Sequence, residues 1–228
     1  MKSLQEIILE KLKIRKTNKH SYKYFPKTKE NLQHLLKQLI KERGNEGDFN
    51  DIDVSNITDM SYLFDYMKEF NGDISKWDVS NVTVIKYMFS FCGSFNQNIS
   101  NWDVSNVIDM TGMFEYCQSF NQDISNWNVS NVTNMRLMFF NCYKFNQQLN
   151  NWDVSNVIDM TGMFEYCQSF NQDISNWDVA NVTNMNNMFY YCKSFNQPLT
   201  NWDVSNVNNY YAMFEFCPIE EKYKPKFI

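Results

Sequence analysis

Residues 101–125 of this 228-residue chain recur letter for letter at 151–175, and closely related strings extend the same 25-residue unit to six full copies. A unit repeated at fixed spacing cannot bury its apolar face alone and must stack on its neighbours, so one continuous array is expected rather than a globule around a single pocket. All six tryptophans (Trp77, Trp102, Trp127, Trp152, Trp177, Trp202) share one register, and all six cysteines (Cys92, Cys117, Cys142, Cys167, Cys192, Cys217) share another. A residue that recurs at every level of a stack is a structural column and is not available as a solitary catalytic group.

In the coil that begins at Ile99, apolar residues fall at Ile99, Trp102, Val104, Val107, Met110, Met113, Phe114, Cys117 and Phe120. The step from Trp102 to Val104 has the period of two of a short strand. From Val107 onward the spacing matches one face of a short helix or a run of 3₁₀ turns. The expected fold class is therefore α/β, a solenoid with one short parallel strand and one short helix per coil. Seven such strands, stacked at about 4.8 Å, would form a parallel sheet.

Asn106 and its equivalents from Asn56 to Asn206 stand just before the helical stretch, where an asparagine caps free N–H groups and Asp109 completes a capping box. A second asparagine column (Asn71, Asn96, Asn121, Asn146, Asn171, Asn196) is placed to bond the backbone of the neighbouring coil. The cysteines lie one per coil among apolar and aromatic neighbours, without a CxxC pair or a Cys/His cluster. They read as a buried ladder of reduced thiols rather than disulfides or zinc ligands.

Strings such as FNQDISNWDVSNVTNM resemble the BspA-like leucine-rich-repeat surface protein family, with Ile99, Trp102 and Val104 at the strand positions. The resemblance covers about residues 50–217. It implies a right-handed leucine-rich-repeat-like solenoid with strands on the concave side, a role in protein or matrix binding, and a place at the cell surface.

The remaining segments divide the chain. Residues 1–50 carry a net charge of +6 and the rest −11. Leu4, Ile7, Ile8 and Leu12 have helical spacing, and 28–42 reads as a second amphipathic helix ending near Gly44, so 1–50 is expected to be a basic helical N-terminal cap. The array occupies 51–217 in about seven coils. The tail, 218–228, loses the repeat pattern, and Ile219, Tyr223, Phe227 and Ile228 are its candidates for a thin cap. The N-terminus lacks the apolar core and cleavage site of a secretory signal, which favours a cytoplasmic location. No run approaches the length of a membrane span.

The chemistry points away from catalysis. The two histidines, His20 and His34, lie in the head, and there is no phosphate loop, HExxH or GxSxG string. No cofactor or metal is expected. The acidic array disfavours nucleic acid. The marked electrostatic feature is a column of aspartates, Asp53, Asp78, Asp103, Asp153, Asp178 and Asp203, broken by Asn128. Like charges aligned across neighbouring strands cost stability. Either the column receives a basic partner, or each carboxylate is absorbed by the Ser and Asn beside it. A second candidate surface is the aromatic column containing Tyr116, Tyr166 and Tyr191, which can either bind a partner or cover the core. The expected function is a non-enzymatic protein–protein interaction module, with Asp78, Asp103, Asp153, Asp178 and Asp203 and the three tyrosines as its binding residues. The alternative is a structural or adhesive protein that self-assembles weakly through its ends.

Overall fold

A computed structural model describes residues 22–227. The expected helix around Leu4 to Leu12, His20 and the terminal Ile228 lie outside the described residues. Helix α1 spans Lys29–Arg43: Thr28 accepts the Asn31 N–H at its start, and Gly44, at φ 79°, ends it. Its apolar stripe, Leu32, Leu36 and Leu39, is fully buried and continuous with the core of the repeats. Lys29 bonds the Asp59 carboxylate (2.7 Å) and the Ser61 hydroxyl, while Arg43 pairs with Asp51 (2.8 Å), so polar contacts flank the apolar seam on the first coil.

The repeats do not form the expected strand and helix. Among the described residues there is no β-strand, α1 is the sole α-helix, and the only other helix is one 3₁₀ turn, Glu221–Tyr223. Each coil is a closed circuit of turns. Trp102, Val107, Met113, Glu115, Cys117 and Phe120 each donate their N–H to the carbonyl three residues earlier. The apolar spacing of three that resembled a helical face is the spacing of these turn corners.

What excludes both regular structures is the backbone at two columns. Tyr62, Tyr87, Gly112, Leu137, Gly162, Asn187 and Ala212 all have φ near +55°, as do Tyr66, Phe91, Tyr116, Asn141, Tyr166, Tyr191 and Phe216. A left-handed residue between right-handed ones ends an α-helix and cannot lie in an extended strand. For non-glycine residues it costs roughly 1–2 kcal/mol each. The offset comes from the next coil: the N–H groups of Met110, Gly112, Phe114 and Tyr116 donate to the carbonyls of Asn134, Arg136, Met138 and Phe140 at 2.7–3.0 Å. Parallel bridges survive only as single residues, the run Asp59, Val84, Asp109, Asn134, Asp159, Asn184 and Asn209 together with Tyr24–Ile52 and Asp48–Asp73, so no sheet is built among the described residues.

Side chains complete the stacking. Phe89, Phe114, Phe139, Phe164 and Phe189 form a nearly parallel column with centroids 5.6–5.8 Å apart, and each also stacks on the phenylalanine six residues later, as Phe114 does on Phe120 at 4.0 Å. Trp127 is buried with its indole N–H donating to the Ile99 carbonyl (3.1 Å), and every other tryptophan makes the equivalent bond. Each tryptophan thus fills the core and ties its coil to the one before.

At the far end Ile219 and Pro225 are buried, Phe227 stacks on Tyr210 at 3.9 Å, and the Leu199 N–H donates to the Tyr223 carbonyl. The tail therefore folds back over the last coil. Replacing Trp127 by Ala should destabilise the chain by about 3–5 kcal/mol, since it opens a cavity and removes the indole bond to the Ile99 carbonyl, which keeps only the Trp102 N–H. Chemical denaturation of both forms checks this, and superimposable curves would contradict a tryptophan ladder that carries the stack.

Candidate functional site

The aspartate column is built by local turn chemistry. Asp103 Oδ1 accepts the Ser105 N–H two residues on (3.1 Å), and Asp78, Asp153, Asp178 and Asp203 accept from Ser80, Ser155, Ala180 and Ser205 in the same way. At Asp78 and Asp153 the serine hydroxyl adds a bond of 2.6 Å. Bonds from Ser105, Ser155 and Ser205 hold the Asp103, Asp153 and Asp203 carboxyls below the usual range, so they are firmly ionised at neutral pH. All five aspartates are exposed. Asn128 makes the same two bonds, to the Ser130 N–H and hydroxyl at 3.1 and 2.7 Å. The turn therefore accepts an amide as well as a carboxylate.

Beside this column lies a band of neutral polar groups. Asn106 does not cap a helix: its Nδ2 donates to the Ser80 carbonyl of the preceding coil (2.7 Å), and Asn131, Asn156 and Asn181 repeat the contact. Asp109, expected to complete the capping box, instead accepts the Thr111 N–H and hydroxyl. Asn131, Thr133, Asn156, Ile158, Asn181 and Thr183 line a shallow trough of about 510 Å³. The second asparagine column behaves as expected, Asn96 Oδ1 accepting the Asn121 N–H at 2.9 Å.

The aromatic column lies on a different turn of each coil. Tyr66, Phe91 and Tyr116 stack at 4.5 and 4.4 Å, and Tyr191 lies 5.1 Å from Tyr166. Asn141 breaks the column, is buried, and its place is taken by Phe140, which meets Tyr116 and Tyr166 edge-on at 5.1 and 5.9 Å. Tyr116, Tyr166 and Tyr191 are half-buried, Tyr116 stacking on Phe91 and Tyr166 on Tyr191.

Two further columns vary from coil to coil and are only in part turned to solvent, as Arg136, Tyr211 and Glu215 are. Ser61, Ser90, Thr111 and Thr161 are buried, and Asp65, Glu115 and Glu165 are half-buried. Burial raises the Asp65, Glu115 and Glu165 carboxyls above their ordinary range. No periodicity in the sequence marks them, because turn residues adjacent to a left-handed position lean inward without an apolar signature.

The six cysteines are unpaired, five of them buried. Each donates its thiol to a carbonyl of the preceding coil, as Cys117 Sγ does to Phe89 O (2.9 Å). Burial pushes Cys117, Cys142 and Cys192 well up, but Cys217, in the last coil, only to about 11. His34 is exposed on α1. Among the described residues no group of histidine, cysteine, aspartate and glutamate could hold a metal ion, and no helix is long and apolar enough to cross a membrane.

Two consequences are measurable. Native protein should react slowly with a thiol reagent, Cys217 first, and protein denatured without reductant should yield six thiols; fewer would show disulfides. The Glu115 carboxyl has a folded-state pKa above its unfolded value, so the folded state binds its proton more tightly and stability falls as pH rises through that range. Glu115→Gln should therefore raise stability at neutral pH and flatten its dependence between mildly acidic and neutral pH, as followed by thermal melts at several pH values.

No curated protein and no solved structure matches the chain. A family described as "Mycoplasma protein of unknown function, DUF285" matches it twice, at residues 30–142 and 122–224. The two matches overlap within the array and together run from α1 to the tail, as a family of tandem repeats requires. With its stacked 25-residue coils and the match across most of its length, the chain belongs to the family of Mycoplasma proteins of unknown function, DUF285.

Proposed function

We propose that this chain is a non-enzymatic interaction module whose exposed aspartate column docks a basic segment of a protein partner. Asn128 carries the argument. It forms the same turn as the aspartates without a charge, so carboxylates at Asp78, Asp103, Asp153, Asp178 and Asp203 are not needed to make the coil. Ionised groups on successive coils, roughly 4.8 Å apart, repel one another and lower stability. A chain that keeps them bears that cost for a purpose other than folding, and a basic ligand would relieve it.

The neighbouring trough supplies what a peptide backbone needs. Asn131, Asn156 and Asn181 use one Nδ2 hydrogen on the preceding coil and retain carbonyl oxygens for a ligand, while Ile158 adds an apolar contact. The repeat strings also resemble BspA-like surface proteins, whose usual role is protein or matrix binding. Tyr116, Tyr166 and Tyr191 present ring edges rather than open faces, which suits a protein side chain better than a stacked sugar.

Changing Asp103, Asp153 and Asp178 together to Asn should preserve the fold, because Asn128 already models the outcome, and should raise stability slightly by removing repulsion. Binding to an immobilised poly-lysine peptide should weaken, and its association rate should lose much of its salt dependence. Unchanged affinity and salt response would remove the column from the binding surface and leave the aromatic column as the candidate.

A further inference from the structure

Along one edge of this stack the two ends are chemically opposite. In six successive tiers, four alternate N–H groups of one coil donate to carbonyls 24 residues on, from Met60, Tyr62, Phe64 and Tyr66 through to Met185, Asn187, Phe189 and Tyr191. Every one of these bonds points the same way along the stack. On this edge the first coil therefore ends in carbonyls and the last coil in donors, while on another edge one bond per coil runs the other way, the N–H groups of Thr83, Ile108, Thr133, Ile158, Thr183 and Asn208 donating to the carbonyl 25 residues before. Among the described residues, the N–H groups of Tyr210, Ala212, Phe214 and Phe216 have no acceptor.

The ends are covered unequally. At the carbonyl end α1 buries three leucines and its Lys29 and Gln33 side chains bond along the rim at Asp59, Ser61 and the Tyr62 carbonyl. At the donor end the tail seals the apolar centre but supplies no acceptor to the four amides. It is fastened by the Leu199–Tyr223 bond, the bonds between Glu220 and Asn196 and the Phe227–Tyr210 stack, and it leaves Tyr211 76% and Phe216 53% exposed.

We propose that this donor edge is a docking site for the carbonyl edge of a 25-residue coil of the same kind, carried on another chain. The occupant follows from complementarity: the same four-donor edge is met six times within this chain, each time by the alternate carbonyls of such a coil. Two copies of this chain do not satisfy it. Donor edge against donor edge has no acceptors, and the carbonyl edge of a second copy lies under α1. The partner is therefore a repeat chain whose first coil is not covered by a helix, and it adds in one direction only. Docking lifts the tail from Phe214 and Tyr210. This site is separate from the aspartate column, so either can fail without the other.

The test uses the full chain with residues 151–200 appended after Ile228 through a flexible Gly/Ser linker, which holds the two added coils at a local concentration of the order of millimolar. Hydrogen exchange at Tyr210, Ala212, Phe214 and Phe216 should slow by about tenfold or more relative to the unextended chain. An appended segment of scrambled sequence should leave it unchanged. Phe227→Ala in the extended chain, which loosens the tail, should increase the protection. Unslowed amides in the extended chain, equal slowing by the scrambled segment, or reduced protection on Phe227→Ala would each overturn the assignment. So would concentration-dependent dimerisation of the unextended chain with slowing of the same four amides, which would make the occupant a second copy.

Discussion

The one-way hydrogen bond from each coil to the carbonyls 24 residues ahead is the constraint on which the rest of this structure depends. It allows residues as bulky as Tyr66, Phe91 and Tyr116 to sit at φ near +60°, because a left-handed residue aims its N–H out of the coil plane toward the next coil. The local cost of about 1–2 kcal/mol per residue is met by a bond that only a neighbour can supply. A single coil would not hold this shape. The order is cooperative along the stack, and on this edge a polarity, donors at one end and acceptors at the other, is built in by the same geometry.

Polar side chains in this chain are structural members before they are anything else. Asn96 extends the backbone ladder by accepting the Asn121 N–H, Asn106 braces its coil on Ser80, and Asp103 closes a turn on Ser105. The distinction that matters for function is between a polar group whose chemistry the fold consumes and one whose charge is surplus. Asn128 draws that line within a single molecule. It shows which part of Asp103 the fold uses, a hydrogen-bond acceptor, and which part it does not, a negative charge. The buried asparagine Asn141 marks a similar boundary in the aromatic column, where Phe140 moves in to keep rings in contact across the gap.

Much of the packing was legible in the sequence. The buried columns at Trp102, Val104, Val107, Met110, Phe114, Cys117 and Phe120, the unpaired thiols, the helix ended by Gly44 and the folded-back tail all follow from apolar spacing and residue chemistry. The secondary structure did not follow. A spacing of three is shared by a helical face, a 3₁₀ run and a circuit of i to i+3 turns, and the fourteen residues of the left-handed columns include six tyrosines and two phenylalanines against two glycines. Nothing in those side chains announces a positive φ.

The sequence by itself determined which residues lie inside, that the units must stack in one register, and that acidic side chains recur on one line, because burial and periodicity are properties of residue type and spacing. Only the tertiary structure decided the path of the backbone, the role of Asn106 as a brace rather than a cap, the inward lean of Glu115, and the donor edge at Tyr210 to Phe216. Each of these is set by a hydrogen bond or a contact to a residue some 24 to 26 positions away, or by that bond's absence at the end. A coil read alone does not contain its neighbour.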